Sequence, residues 1–116
     1  MSTISRDGDV TIVELEGMFD SLNVEASRQL EAVLLEQAAA ADPPHVVLDM
    51  SRTTFIGSHF IELLFRTWKR LKERQGQMAL CGLTPFCGEV LEAARLHTVW
   101  PTFENQSQAC AALRGD

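Results

Sequence analysis

The 116-residue sequence has no apolar run of about 18 residues, the length a membrane-spanning helix needs. Nor does its start, Met1-Ser2-Thr3-Ile4-Ser5-Arg6-Asp7, join a basic segment to an apolar core, so no secretory signal is expected. Both absences point to a cytoplasmic protein without membrane insertion. Cysteine is scarce: Cys81, Cys87 and Cys110, widely spaced and without a CxxC pair. This argues against a disulfide framework or a zinc site. Cys87 falls in the first turn of a predicted helix, where a thiolate is favoured, but plain packing explains all three thiols. Catalytic fingerprints are missing as well. There is no GxGxxG, no GxxxxGK followed by Ser or Thr, no GxSxG and no HExxH. No phosphate-cradling loop, cofactor or metal is therefore expected.

Positive charge is also in short supply. The net charge is −6, with ten acids against two bases in residues 1–49 and six against eight in residues 50–116. Five of the ten bases lie between Arg66 and Arg74. They occupy the last turns of a predicted helix, where cations oppose the helix dipole. An acidic chain with one such cluster is not built for nucleic acid.

What is present is a regular alternation of strand and helix. The composition is 46% hydrophobic, enough for a core in a single domain spanning residues 1–116. "SRDGDVTIVELEG" reads as a hairpin turning at Asp7-Gly8, its second strand ending at Gly17. A helix from about Val24 to Ala41 follows, capped by Asn23 and stopped by Asp42-Pro43-Pro44. Its apolar stripe is Ala26, Leu30, Val33, Leu34 and Ala41. "HVVLDM", residues 45–50, suits a central strand covered on both faces. The next helix starts at Ser58 or His59 and runs to Arg74 or Gln75, with Gly76 as its stop. "QMALCGL" is a strand. "TPFCGEVLEAARL" is a helix with Thr84 as cap and Pro85 at its first position. "TVWPTFE" is an edge strand, and "NQSQACAALR" a closing helix. The order β-β-α-β-α-β-α-β-α predicts an α/β fold. Its mixed sheet of about five strands carries four helices, with parallel pairs in the centre and the hairpin adding an antiparallel pair.

No catalytic set assembles from these elements, so an enzyme is not expected. His45, His59 and His97 have no second ligand at helical spacing. Ser58 and His59 are neighbours, and neighbouring side chains at a helix start diverge. Glu14 and Glu16 share a strand face and read as solvated. Ser58 is the residue that stands out. It lies in a strand-to-helix loop at the carboxyl end of a central strand, where α/β sheets commonly carry function. Its hydroxyl can cap the helix, with Glu62 near the capping-box position. It can also accept a phosphoryl group, whose charge a helix N-terminus tolerates.

The element order resembles the STAS domain of bacterial anti-sigma factor antagonists. "VELEGMFD", "HVVLDMSRTTFIGS", "GQMALCGLTP" and "ARLHTVWPTFEN" fall in that family's order and spacing across essentially the whole chain. The resemblance implies a non-enzymatic signalling module. Its partner is an anti-sigma factor, usually also a serine kinase, and binding frees a sigma factor. Phosphorylation of one serine at the start of the helix after the central strand blocks binding. The family's local pattern, Asp-Ser-Ser/Thr-Gly, aligns with Gly57, Ser58, His59 and Phe60, so the acceptor alone matches. Candidate contact residues are Gly57, Ser58, His59, Phe60, Ile61 and Asp20, in a monomer or weak homodimer. STAS-like domains also serve as small-molecule or lipid-linked sensors and transport accessories. That alternative predicts an apolar pocket lined by Met18 and Phe19.

Overall fold

The structure is a computed structural model that describes residues 2–19 and 24–115. Asp20 and the expected cap Asn23 lie outside the described residues, as do the side chains of Met18 and Phe19. The strands are β1 (Ser2–Asp7), β2 (Val10–Phe19), β3 (His45–Ile56), β4 (Gln77–Cys81) and β5 (Thr102–Phe103). The helices are α1 (Val24–Ala40), α2 (Ser58–Glu73), α3 (Pro85–Ala93) and α4 (Gln106–Arg114), with a 3-10 turn at Leu96–Thr98. The strands form one sheet in chain order, β1-β2-β3-β4-β5. β1 and β2 are antiparallel, and every later pair is parallel. This is the mixed sheet the strand–helix alternation predicts.

Alternation along the central strands sorts the core into two layers. Val46, Leu48 and Met50 of β3, with Val13 and Leu15 of β2, pack beneath α1, α2 and α3. Val47 of β3, with Ile12, Ala79 and Cys81, meets Ala109, Cys110 and Leu113 of α4. The three crossover helices share one face because successive crossovers of one hand, stepping one strand at a time, return to the same side. α4 alone covers the other. Cys81, Cys87 and Cys110 are all buried and free. Burial foremost, with the negative charge of Asp49 next, pushes the Cys81 thiol up to about 12. That thiol is therefore inert packing.

Several boundaries differ from the sequence reading. The hairpin loop is Gly8-Asp9, since Asp7 still pairs with Val10. Gly17 does not end β2. It sits between two register irregularities at φ 132°, and pairing continues to Phe19 opposite Ile56. β3 likewise runs six residues past Met50, because β2 supplies a partner for it. Thr53 in this extension is buried, and its hydroxyl donates to the Leu15 carbonyl at 3.0 Å. At the far edge, "TVWPTFE" gives only a two-residue strand. Trp100 leaves the strand and is fully buried in the core, its ring 4.8 Å from that of Phe65. Pro101 accepts from Leu80 N–H at 2.9 Å, the one ladder role open to a proline.

The end of α2 is also built differently. Gln75, not Gly76, takes the left-handed conformation, at φ 62°. Its N–H donates to Lys72 O at 2.9 Å, and Gly76 N–H donates to Leu71 O at 2.7 Å. This is the paired bonding of a Schellman terminus. Gly76 is required for another reason: a Cβ there would lie 1.9 Å from the carbonyl oxygen of Pro44. The basic end of α2 is used in packing. Arg66 pairs with Glu31 of α1 at 2.9 Å, and Arg74 donates to Ala38 O at 2.9 Å.

Candidate functional site

All parallel strands point their carboxyl ends at one edge of the sheet, the edge where open α/β sheets present their loops. There β3 turns directly into α2. Gly57 is the N-cap, extended at φ −112° and ψ −175°, and no side chain caps the helix. The expectation that Ser58 is the cap is corrected: Ser58 is the first helical residue. A residue already in helical conformation points its side chain away from the orphan N–H groups that a cap reaches. The third helical position is then Phe60, so Glu62 has no capping-box role.

Within α2 itself nothing offsets the positive end of its dipole. Its first turn carries no acid, and the cap is a glycine. Gly57 has negative φ, so its backbone accepts any L residue. We expect Gly57→Asp to stabilise the domain by about 0.5 kcal/mol, from a cap bond and the dipole interaction. Urea denaturation measures it, and a lower midpoint for the variant would contradict this geometry.

The candidate contact residues separate by burial. Ser58 and His59 are exposed and Gly57 is half-buried. Among the described residues, neither the Ser58 hydroxyl nor the His59 ring makes a hydrogen bond, to the other or elsewhere. Phe60 is corrected as a contact side chain: it is 2% exposed and packs in the core beneath α1–α3. Ile61 is half-buried against the same cluster. The apolar residues that follow on α2 also pack inside the molecule. Leu63 and Leu64 are buried, while Phe65 lies edge-on to Trp68 at 6.4 Å and against Trp100.

α3 begins at the same edge of the sheet, after β4. Thr84 caps it, accepting from Cys87 N–H at 3.4 Å. The Thr84 hydroxyl and the Cys87 thiol both donate to Thr53 O, at 3.3 and 3.5 Å. This clamp fixes the start of α3 on the extension of β3. Phe86, the second residue of α3, stacks on Phe55 with centroids 5.2 Å apart and planes 21° apart. The sequence reading missed this pair. The signal was available, since the buried stripe of α3 runs through Cys87 and Leu91 and Phe86 lies off it.

The family model for the STAS domain matches residues 2–109. The chain belongs to the STAS domain family. BtrV of Bordetella bronchiseptica, named as an anti-sigma factor antagonist, is 31% identical over 97% of this chain and 93% of its own length. A STAS-domain anti-sigma-factor antagonist from Planctomyces limnophilus has a solved structure with a TM-score of 0.84 and 33% identity, covering 97% of each chain. SpoIIAA, at 17% identity and TM-score 0.82 in its unphosphorylated form, shares the fold over 100% of this chain and 98% of its own. Its phosphorylated form superposes at 0.73, with 16% identity over 97% of this chain and 98% of its own.

This STAS domain carries a second polar feature away from Ser58. The Gln106 amide donates to Asp49 at 2.6 Å and to Glu14 at 3.0 Å, tying the start of α4 to β2 and β3. Burial raises the Asp49 carboxyl. The hydrogen bonds from Ser51 and Gln106 and the charge of Arg52 outweigh it and leave the group below its ordinary value. The adjoining open cleft of about 500 Å³ is lined by Asp7, Asp49, Ser51, Gly82 and Gln106 among others. Its lining residues are mostly polar, and the apolar pocket expected at Met18 and Phe19 falls on side chains outside those described. Glu16, exposed as expected, pairs with Arg52 at 3.6 Å. Among the described residues no group of three His, Cys, Asp or Glu side chains is placed to hold a metal, and no helix is long and apolar enough to cross a membrane.

Proposed function

We propose that this STAS domain is an anti-sigma factor antagonist. It binds its anti-sigma factor through Gly57, Ser58, His59 and the outward side of the first turn of α2, and phosphorylation of Ser58 releases the partner. The observation that carries the reading is the state of Ser58. It is an exposed first helical residue whose hydroxyl makes no hydrogen bond among the described residues, on a helix whose own first turn carries no acid. The 31% identity to BtrV, named as an anti-sigma factor antagonist, supports the role.

The physics of the switch is local. A phosphoryl group adds about −1.5 to −2 charges. The positive end of the α2 dipole receives that charge, so the fold has no reason to rearrange. A partner seated over a neutral serine then meets a hydrated dianion and is expelled by desolvation and charge. Gly57 has no carboxylate to orient the acceptor. A kinase acting here must therefore recognise the loop through its backbone and through His59.

The test pairs the purified chain with the anti-sigma kinases of its own cell, in the presence of magnesium and ATP. Mass spectrometry should find one phosphoryl group on Ser58 and none on Ser58→Ala. Ser58→Asp should lose partner binding in calorimetry. No modification by any of those kinases, together with full binding by Ser58→Asp, would sink the switch.

A further inference from the structure

We infer that the stacked pair Phe55–Phe86 is a second anchor of the partner interface, a platform beside Ser58 that receives an apolar side chain of the anti-sigma factor. The inference rests on the proposed antagonist role and adds to it a specific contact, on α3 rather than α2.

Phe86 is 44% exposed, and only Ile4 and Val99 accompany it as exposed large hydrophobics among the described residues. The fold does not need it there. α3 buries Cys87 and Leu91, and its start is set by the Thr84 cap and Pro85. A polar residue at position 86 would leave the helix intact. Instead a phenyl ring faces solvent, held in one orientation by the ring of Phe55 at 5.2 Å. A ring fixed before binding loses little entropy on binding, which is what makes aromatic side chains effective anchors.

The position of the pair names its occupant. Phe55 precedes Gly57 by two residues, a chain distance of roughly 7 Å. The bonds of Thr84 and Cys87 to Thr53 O hold α3 to the same strand. Both rings therefore belong to the sheet edge that carries Ser58, where one protein surface can meet all three. The pair also explains why a phosphate at Ser58 is effective. A dianion placed at the margin of an apolar contact must keep its water, and the rings then cannot be buried. The apolar platform and the switch residue act on one bound partner.

The experiment is calorimetric titration of the anti-sigma factor with the full chain and three variants. Phe86→Ser should weaken binding by roughly 30-fold, as truncation of an anchor does. Phe86→Tyr, which keeps the ring, should stay within about fivefold of the parent. Val99→Ser, an exposed apolar residue beyond the far end of α3, should bind unchanged. Circular dichroism on each variant verifies folding. Parent-like binding by Phe86→Ser, or equal weakening by Val99→Ser, overturns the platform and leaves the Ser58 surface standing. Failure of the parent chain to bind any anti-sigma factor overturns both. Sedimentation supplies the remaining outcome. If the parent self-associates, Phe86→Ser abolishes that association, and anti-sigma affinity is unchanged, the rings serve a second copy and the inference is wrong.

Discussion

Phe60→Ala is expected to remove about 3–5 kcal/mol of folding stability, read as a lowered urea midpoint with an unchanged slope. The ring is 2% exposed and packs with Ile56, Leu63 and Leu64 in the layer beneath α1, α2 and α3. Removing it leaves a cavity at the first turn of α2, where the neighbours are anchored by the sheet and cannot close in. A domain of this size holds about 5–15 kcal/mol in all, so the variant populates unfolded chain near physiological temperature. The consequence for interface mapping is direct. Partner binding lost in Phe60→Ala reports unfolding, although position 60 lies two residues from Ser58. A cost under 1 kcal/mol would show that the ring is not in the core.

Gly76→Ala is the second large effect, expected to cost about 1–3 kcal/mol in the same measurement. The added Cβ would meet Pro44 O at 1.9 Å and Pro44 Cβ at 2.8 Å. The carbonyl cannot simply retreat, because Gln77 N–H donates to it at 3.0 Å. That bond aligns the start of β4 with the start of β3. Relief requires either a shift of β4 or loss of the bond, and both disturb the central parallel pair. A neutral result would mean that the Pro43–Pro44 turn moves freely against β4.

These two residues also show how much could be read from the chain. The element order and the sheet class were legible because they follow from local signals: apolar periodicity, Thr84-Pro85 at a helix start, the proline pair after α1. Gly76 was recognised as a stop. Its actual reason, close approach of Pro44 thirty-two residues earlier, is a tertiary fact that no local pattern encodes. The ends of β2 and β3 were misjudged for a related cause. The extension of β2 through Met18-Phe19 and that of β3 from Ser51 onward are strands only because each has the other to pair with. At the site, Ser58 became a candidate by its place after a central strand, and the structure leaves it exposed. Its role as cap was wrong by one residue, since Gly57 can occupy the cap position without supplying a cap bond. Phe60 looked available because a helix start is usually wet, yet the direction of the helix turns that position inward. Phe86 became legible as an outward ring only once burial of Cys87 and Leu91 fixed which side of α3 faces the sheet.

The agreement between chain order and spatial order in the sheet bears on synthesis. Each strand from β2 onward is laid against the one made just before it, and from β3 onward its crossover helix is already in hand. A chain leaving the ribosome can therefore build the sheet stepwise, domain growth running from the N-terminal side, with mostly short loop closures. α4 breaks this pattern. Gln106 reaches back 57 residues to Asp49 and 92 to Glu14, and Arg114 pairs with Asp7 at 3.1 Å. The edge carrying Ser58 can thus be in place while the opposite face of the sheet still awaits the helix that seals it.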